Sequence, residues 1–508
     1  MKKLVLLRRL SQGFFLALFI FILWSTTYPL TGAVPSGVFF AVDPLVMLVT
    51  SLSERLVLRG VAPAVLMLVV TLVLGRFFCG WVCPLGTMID AAGFRAGKKE
   101  FTPEQNKKAR RVKFYLLGFI FICALLGLQI AWIFDPIVLA ARFVSLNLIP
   151  TLTFLTDGFF SRVIRLFGLY GPVYDFYRGL KGSFLGVNVY YFSHSLIILS
   201  LFAAILFFAS RLRRSWCRVV CPLGALYALA ARYGFLKRTV TRCTGCGRCS
   251  ADCRMGAITK DNEYVQGECI LCMDCIYDCP AHGTRFSFAK PAARAEKQAG
   301  VTRRDFLLLA LAALLPEKVF AVGPRGTGPG RPAVIRPPAS LEEEEFLNRC
   351  IRCGNCMKVC ITNGLQPALF ESGAAGIWTP RLVPEIGYCE YHCTLCGNVC
   401  PTGAIPRLTE NEKSRIKLGT ALIDRSLCLP WARNTECLVC EEHCPVSPKA
   451  IRLQRVIVKG KTISRPQVVP ELCVGCGICQ NKCPVRPGRA ISVSPEGATR
   501  PDTKGRSF

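Results

Sequence analysis

Most cysteines in this 508-residue chain are spaced as ligands of iron–sulfur clusters. The chain has 29 cysteines, which fall into tight groups unlike those of a small disulfide-stabilised scaffold. Two consecutive runs share the spacing C-x2-C-x2-C-x3-C, in which the fourth cysteine of each run binds the cluster of the other run. Structural zinc is the alternative, but zinc sites usually place two CxxC pairs well apart. The sequence predicts two [4Fe–4S] clusters, one on Cys243, Cys246, Cys249 and Cys279 and one on Cys253, Cys269, Cys272 and Cys275.

Four more cysteine runs lie in the last third of the chain. The first and fourth are regular, the second opens with a gap of three residues and the third with a gap of eight. Four clusters are predicted, with fourth ligands exchanged between paired runs, and both sequential and nested pairing remain open. His392 and His443 lie inside the runs, and we expect them to tune the clusters or to lie at the surface. The predicted ligands are Cys350, Cys353, Cys356, Cys360, Cys389, Cys393, Cys396, Cys400, Cys428, Cys437, Cys440, Cys444, Cys473, Cys476, Cys479 and Cys483.

A different cysteine motif repeats in the apolar first half of the chain. The segment Cys79-Gly-Trp-Val-Cys83-Pro-Leu-Gly recurs 138 residues later as Cys217-Arg-Val-Val-Cys221-Pro-Leu-Gly. Two such pairs could supply four thiolates to one further iron–sulfur centre or to a copper ion. The alternative is structural thiols or a transient redox pair, and spacing alone does not decide between them. Cys123 stands alone among apolar residues, so we expect it to be a buried structural thiol.

Four apolar stretches are long enough to cross a bilayer, near residues 12–30, 56–78, 113–134 and 187–210. Lysines and arginines flank them on one side of a four-helix topology, which predicts that side to be cytoplasmic and residues 135–186 to lie outside. The fourth stretch contains His194, a candidate for quinol binding because a histidine within a membrane is functional by default.

The composition fits a membrane half joined to a soluble half. The chain is 52% hydrophobic with a mean hydropathy of +0.38, yet 19% of its residues are charged. Much of the formal charge of +30 flanks apolar stretches, where it sets membrane topology. We therefore expect a lipid membrane as partner and no nucleic acid.

An export signal is predicted in the middle of the chain. Twin arginines, Arg303 and Arg304, precede a short apolar stretch that ends before Pro316, the pattern that directs export of folded, cofactor-loaded proteins. Small residues near Ala321 offer a cleavage site. A chance arginine pair before an amphipathic helix is the alternative.

The predicted fold class is an α-helical membrane domain of four helices joined to α+β modules of the bacterial two-cluster ferredoxin type. The predicted domains are a membrane domain at 1–235, a cytoplasmic two-cluster module at 236–290, a twin-arginine signal or anchor at 300–322, a linker at 323–340 and an exported four-cluster domain at 341–508.

Two resemblances cover nearly the whole chain. Residues 1–290, with four apolar stretches, two Cys-x3-Cys-Pro motifs and a two-cluster module, resemble the NapH-type membrane ferredoxins, a group related to NosR-type and CcoG-type polyferredoxins. Residues 300–508, with an Arg-Arg signal and four cysteine runs, resemble the NapG-type ferredoxins. The chain therefore resembles a fusion of two proteins that are usually separate.

The resemblance implies an electron-transfer component of the bacterial inner membrane rather than a stand-alone enzyme. Electrons from the quinone pool, or from a cytoplasmic donor, would pass through six [4Fe–4S] clusters to a periplasmic reductase or cytochrome. One alternative is a CcoG-like copper reductase or metalloenzyme assembly factor, which would bind copper at the Cys-x3-Cys pairs. Another is a maturation scaffold that docks on a reductase and carries no current.

The export signal can be tested with a reporter fused after Phe508. We expect the reporter to reach the periplasm, and the double variant Arg303→Lys, Arg304→Lys to retain it in the cytoplasm, because the pathway recognises the arginine pair. A matched variant, Arg285→Lys, should not change export. Export that persists in the double variant would refute the signal.

Overall fold

The computed structural model describes residues 2–28, 30, 35–58, 60–93, 103–168, 170–181, 191–259, 262–289, 308–309, 311, 313 and 334–500. The predicted signal arginines, the cleavage region and most of the linker lie outside these residues. The chain divides into two compact units. The first unit comprises Met1–Leu23, Gly37–Asn147 and Leu196–Lys318, and the second comprises Trp24–Ser36, Leu148–Ser195 and Val319–Phe508. These boundaries differ from the predicted domains, because the predicted domains 1–235 and 236–290 share the first unit.

Helices make up most of the first unit. Its α-helices are Lys2–Ser25, Val38–Ala41, Pro44–Glu54, Val61–Leu74, Phe77–Trp81, Pro84–Ala92, Pro103–Leu125, Pro136–Phe143, Ser195–Arg211, Pro222–Ala231, Arg248–Ala251 and Asp274–Tyr277. Short 3-10 turns lie at Ala131–Ile133 and Gln266–Glu268, and π-helical turns at Val144–Leu148 and Trp216–Val220.

Four helices of the first unit begin in the same way. Each has an acceptor side chain at the position before the helix and a proline in its first turn, which costs no backbone hydrogen bond there. The acceptor is a carboxylate at Asp43 and Asp135, and a thiol sulfur at Cys83 and Cys221. The Asp-Pro and Cys-Pro dipeptides of the sequence are therefore helix starts.

Among the described residues, two helical runs are long and apolar enough to cross a membrane by length and composition, Lys3–Ser25 and Pro136–Phe167. The first matches a predicted span, whereas the second lies in the segment that was predicted to be outside. The stretch near 56–78 contains a helix of only 14 residues, and that helix ends at Gly75, whose φ is +77°. The four-helix membrane domain is thus not confirmed.

The two-cluster module forms part of the first unit through a two-stranded antiparallel sheet and a buried ion cluster. Strands β1 (Leu236–Val240) and β2 (Thr284–Phe288) pair in the register Leu236↔Phe288 to Val240↔Thr284. The carboxylate of Glu268 contacts Arg76 Nη1 at 3.0 Å and Lys113 Nζ at 2.5 Å, and all three side chains are almost fully buried. All three charges are removed from water, so removing any one of them leaves an uncompensated buried charge. The ion cluster therefore stabilises the packing of the module only while all three side chains are present.

Short helices and three small antiparallel sheets form the second unit. Strand β3 (Leu365–Pro367) pairs with β4 (Pro380–Leu382), β5 (Thr420–Ile423) with β8 (Ile491–Ser494), and β6 (Ile451–Val458) with β7 (Lys461–Val468). The α-helices are Ile149–Phe167, Pro172–Leu180, Glu343–Arg349, Asn355–Lys358, Leu395–Asn398, Glu410–Ser414, Val439–Glu442 and Ile478–Lys482, with a 3-10 turn at Ala374–Gly376 and a π-helical turn at Leu429–Arg433.

The sequence predicts a short strand where Ala-Ile follows a cysteine run, at Ile405, Ile451 and Ile491. Ile451 begins β6 and Ile491 begins β8, but the segment at Ile405 is not a strand. The N–H of Ile405 points to the sulfur of Cys400 at 3.4 Å, and the carbonyl of Ala404 accepts from Leu341. The N–H of Ile405 and the carbonyl of Ala404 already have hydrogen-bond partners, so they are not available to pair with a neighbouring strand.

Two segments that are distant in the sequence, Trp24–Ser36 and Leu148–Ser195, also pack in the second unit. The buried ammonium of Lys358 donates to Thr26 Oγ1 at 3.1 Å and to the carbonyl of Trp24. The side-chain amide of Gln366 donates to the carbonyl of Tyr191 at 3.0 Å. Residues next to the candidate membrane helix Lys3–Ser25 thus contact the first cysteine run of this unit directly.

The variant Glu268→Gln tests the buried ion cluster. Without the carboxylate charge, Arg76 and Lys113 remain buried and uncompensated, so we expect the first unit to lose about 3–5 kcal/mol of unfolding free energy in chemical denaturation. The control Asp252→Asn breaks a half-exposed pair with Arg213 at 3.8 Å and should cost less than about 1 kcal/mol. Equal effects of both variants would contradict the argument.

Candidate iron–sulfur sites

The regular cysteine runs share one local fold. The residue just before the short helix of each run adopts a left-handed conformation, which turns the chain around the cysteines. In the first run of the second unit this residue is Gly354, with φ +90°, followed by the helix Asn355–Lys358. In the fourth run it is Gly477, where an added Cβ would lie 2.9 Å from Pro384. The close packing requires glycine at Gly477, whereas the run that opens at Cys269 has Met273 at the equivalent position with φ +63°.

The first two runs of the second unit exchange their fourth cysteines. Cys356 lies in the electrostatic neighbourhood of Cys350 and Cys353 from its own run and of Cys400 from the next. A cavity is lined in turn by Cys389, Cys393 and Cys396 together with Cys360 of the first run.

The third and fourth runs are interleaved in the same way, so the structure shows sequential pairing. One cavity is lined by Cys428, Cys437, Cys440 and Cys483, and another by Cys444, Cys473, Cys476 and Cys479. The wide gap of the third run holds the helical turn Leu429–Arg433, whose Trp431 donates its indole N–H to the carbonyl of Pro466 at 3.1 Å. The extra residues therefore leave the four-cysteine arrangement intact.

The module of the first unit brings one of its two predicted ligand sets together. Cys253 lies beside Cys269, Cys272 and Cys275, and its sulfur accepts from the N–H of Ala257 at 3.1 Å.

The other predicted set of this module is only partly assembled. Cys243 and Cys249 flank the side chain of Asn262, at 3.7 and 3.8 Å, and Cys246 is exposed. Cys279 accepts hydrogen bonds from its own turn at Gly283 and Thr284. A cluster on these four cysteines remains a prediction.

The two Cys-x3-Cys-Pro motifs converge in the first unit. The sulfur of Cys221 lies near those of Cys217, Cys79 and Cys83. Two of these sulfurs also accept backbone hydrogen bonds three residues along the chain, Cys83 from Gly86 at 3.4 Å and Cys221 from Gly224 at 3.2 Å. We call these four residues the four-cysteine centre.

Two buried arginines face the four-cysteine centre. Arg76 and Arg214 each precede the first cysteine of a motif by three residues, so they are related by the same offset as the cysteines. Arg214 donates to the carbonyl of Cys79 at 3.0 Å and pairs with Asp90 at 2.6 Å. The Nε and Nη2 atoms of Arg76 are buried and have no hydrogen-bond partner in the described part of the chain, and Nη2 lies close to Gly224. Sequence reasoning missed both arginines, although extending the repeat by three residues would have found them.

A bound metal core explains the chemistry of the grouped sulfurs better than free thiols do. None of the 29 cysteines forms a disulfide bond. Burial raises the pKa of Cys389 to about 11 and that of Cys476 to about 12, so both would be neutral at physiological pH unless a metal displaced the proton. Four cysteines drawn from two runs around one cavity are the ligand set expected for a [4Fe–4S] core.

The three candidate histidines stand apart from these groups. His194 has a φ of +62° and lies near Glu371 in the second unit. His392 is exposed and contacts Glu410 at 3.3 Å, and His443 contacts the carbonyl of Val439 at 2.9 Å. Cys123 is fully buried, as expected for a structural thiol.

Buried four-cysteine groups, most of them drawn from two runs, define an iron–sulfur protein of the ferredoxin type. Comparison with known proteins agrees with this class. A family model described as a 4Fe-4S binding domain matches residues 56–102 and 195–242, which contain the two Cys-x3-Cys-Pro motifs, and a second 4Fe-4S binding domain model matches residues 466–487.

The relatives narrow the class to one family. The chain is 36% identical over 165 residues to the methylamine utilization ferredoxin-type protein MauM of Methylorubrum extorquens, covering 32% of this chain and 72% of MauM. It is 36% identical over 167 residues to the ferredoxin-type protein NapG of Escherichia coli, covering 32% of this chain and 70% of NapG. The chain belongs to the family of ferredoxin-type proteins that includes MauM and NapG.

Other comparisons extend over more of the chain or find nothing. An uncharacterised protein of Methanocaldococcus jannaschii is 28% identical over 298 residues, which is 57% of this chain and 98% of that protein. No solved structure matches the chain significantly.

Ligand exchange between runs can be tested by two double variants that remove the same number of cysteines. Cys350→Ala with Cys400→Ala removes two ligands of one group, so we expect a loss of about four iron atoms per chain. Cys350→Ala with Cys360→Ala removes one ligand from each of two groups and should lose about eight. Iron analysis of anaerobically purified protein against the parent, expected near 24 or somewhat above, measures the difference. The reverse order of losses would show that each run binds its own cluster.

Proposed function

We propose that this chain is a membrane-associated electron carrier that joins a NapH-like half to a NapG-like half. It would take electrons from quinol, or from a cytoplasmic donor, and deliver them to a periplasmic reductase or cytochrome. Bound [4Fe–4S] clusters supply one-electron exchange with little change in geometry. The residues of the chain hold the clusters, exclude water from them and set the distances between them.

One observation in the first unit carries the proposal. Arg76 faces the four-cysteine centre with one side of its guanidinium, and with Nη1 it binds Glu268 and the carbonyl of Gly267, just before the cysteine run that opens at Cys269. The indole N–H of Trp81, between the two cysteines of the first motif, donates to the carbonyl of Leu271 in that run at 3.0 Å. The module and the centre are thus in direct hydrogen-bonded contact, which favours electron exchange between them.

The second unit offers a continuous order of ligand groups. The backbone N–H of Cys389 donates to the carbonyl of Cys476 at 2.8 Å, which joins the second group of the first pair of runs to a group of the second pair. Cys356 of the first group also lies near Cys396 of the second, and Cys479 lies near Cys440 of the remaining group, so each group touches the next. This arrangement supports electron transfer along the unit from one cluster to the next, rather than electron storage at four isolated clusters.

A membrane location is supported by the candidate helix Lys3–Ser25 and by its continuation into the second unit. Trp24 and Thr26 hold Lys358, between two cysteines of the first run, so the N-terminal helix would anchor this unit whether or not the chain is cleaved near Ala321. The helix Pro136–Phe167 would add a second anchor. We propose the quinone pool as the electron donor, because quinones are dissolved in the membrane to which this helix would anchor the chain.

Copper handling is the second candidate function. The converged sulfurs of the four-cysteine centre would suit Cu(I), which prefers soft thiolates. The iron–sulfur proposal is favoured because the 4Fe-4S binding domain model matches residues 56–102 and 195–242, which contain both motifs. Arg76 and Arg214 would compensate the net negative charge of a thiolate-ligated core at the centre.

Quinol-driven reduction in proteoliposomes tests the relay. We expect quinol to bleach the visible absorbance of the parent protein, and the variant Cys79→Ala, Cys217→Ala to lose this response while dithionite still reduces the clusters of the second unit. The control Cys123→Ala alters another buried thiol of the same unit and should respond like the parent.

Three outcomes would count against the relay. Failure of quinol to reduce the parent would support the scaffold alternative. Bound copper that co-purifies in stoichiometric amount and is lost in Cys79→Ser would support copper handling. A normal response of the double variant would show that electrons bypass the four-cysteine centre.

A further inference from the structure

Two carboxyl groups meet in the interior of the first unit. Asp43 and Asp135 are both 0% exposed. Each uses Oδ1 to accept the first backbone N–H groups of its helix, Leu45 and Val46 for Asp43 at 2.9 and 3.2 Å, and Ile137 and Val138 for Asp135 at 2.9 Å. Both side chains are therefore fixed in direction by their own helices.

The remaining oxygens of the two carboxyl groups have only each other. Among the described residues, no N–H or hydroxyl donor reaches Oδ2 of either aspartate. Each carboxyl group has the other as its side-chain hydrogen-bond partner. Two ionised carboxylates only accept hydrogen bonds and repel each other, so a buried contact between them requires a proton on one of them.

The groups that face this pair connect it to the four-cysteine centre. Arg142 interacts electrostatically with Asp135, and it also donates to the carbonyl of Trp132 at 3.2 Å and lies over the Trp132 ring. The buried hydroxyl of Tyr227 has no hydrogen-bond partner among the residues that the structure describes, and it interacts electrostatically with both aspartates and with Cys79 and Cys83. Tyr227 thus lies within range of both the carboxyl pair and the sulfurs.

We propose that Asp43 and Asp135 form a proton-binding pair that takes up one proton when the four-cysteine centre is reduced by one electron. The inference rests on the proposed function, because it needs a redox centre on those cysteines. Nothing in the proposed relay requires such a pair, and the carboxyl–carboxyl contact is independent of any metal.

The balance of the step is simple. The centre gains one electron from the donor, and the pair, which holds one shared proton, gains a second proton, so both carboxyl groups become neutral. Oxidation of the centre releases that proton again. With quinol as donor, each molecule supplies two electrons and two protons, so the pair would accept one proton for each electron that passes. Burial makes the coupling strong, because charge added near the pair is poorly screened there.

The midpoint potential of the centre measures the coupling. The signal of the centre is first assigned in spectroelectrochemical titrations of the full chain as the one missing from Cys79→Ala. We expect its potential to fall by close to 59 mV for each tenfold decrease in proton concentration, the value for one proton per electron. A potential independent of pH would overturn the proposal.

Isosteric variants identify the residues responsible. In Asp43→Asn and Asp135→Asn the amide oxygen can still cap the helix, so both proteins should fold. We expect each to reduce the pH dependence to less than half that of the parent. The control Asp157→Asn alters a mostly buried carboxylate that binds Lys181 and should leave it unchanged. Unchanged pH dependence in both pair variants would also overturn the proposal.

Infrared spectroscopy separates failure of this inference from failure of the proposed function. The shared proton should give a carboxylic acid C=O band that shifts in D₂O and is absent from Asp43→Asn, whether or not the centre binds a cluster. If the band is present but no signal depends on Cys79, the redox centre is absent and the proposed function fails. If the Cys79-dependent signal is present and the band is absent, the proton pair is wrong.

Discussion

The structure depends on keeping many sulfur atoms close together away from water. Buried thiols that face each other are neutral unless a metal core removes their protons, and a core with four thiolates carries net negative charge. The chain meets that charge with backbone N–H groups, as at Gly86 and Gly224, and in the first unit with the buried guanidinium groups of Arg76 and Arg214. Because these donors are fixed by helix starts, the sulfur groups and the fold are determined together.

Much of the candidate site could be predicted from sequence because its ligands are local. Three cysteines of each regular run lie within a single turn, so their spacing alone defines them, as for Cys350, Cys353 and Cys356. The repeat of Cys79 and Cys83 at Cys217 and Cys221 also allowed the prediction that the two motifs converge, which they do. The choice between sequential and nested pairing could not be predicted, since it depends on which runs pack together over long distances in the chain.

Long-range packing also explains what the sequence failed to predict. Hydropathy identified four apolar stretches, but it could not show that Gly75 ends a helix early or that Pro136–Phe167 continues as one helical run. Nor could it show that Glu268 leaves water to meet Arg76 and Lys113, because an isolated glutamate is usually exposed. The structural role of these buried charged residues could be recognised only when their partners in the fold were known.

The interleaving of neighbouring runs has a consequence for how such chains can change over evolutionary time. A run that is lost or gained alone leaves one core short of a ligand and another run with a spare one, as at Cys360 and Cys400. The heritable building block is therefore a pair of runs, and duplication would lengthen the chain by two cores at a time. The widened third run fits this view, because its extra residues after Cys428 form the helical turn Leu429–Arg433 while Cys428 still lines one cavity with Cys483.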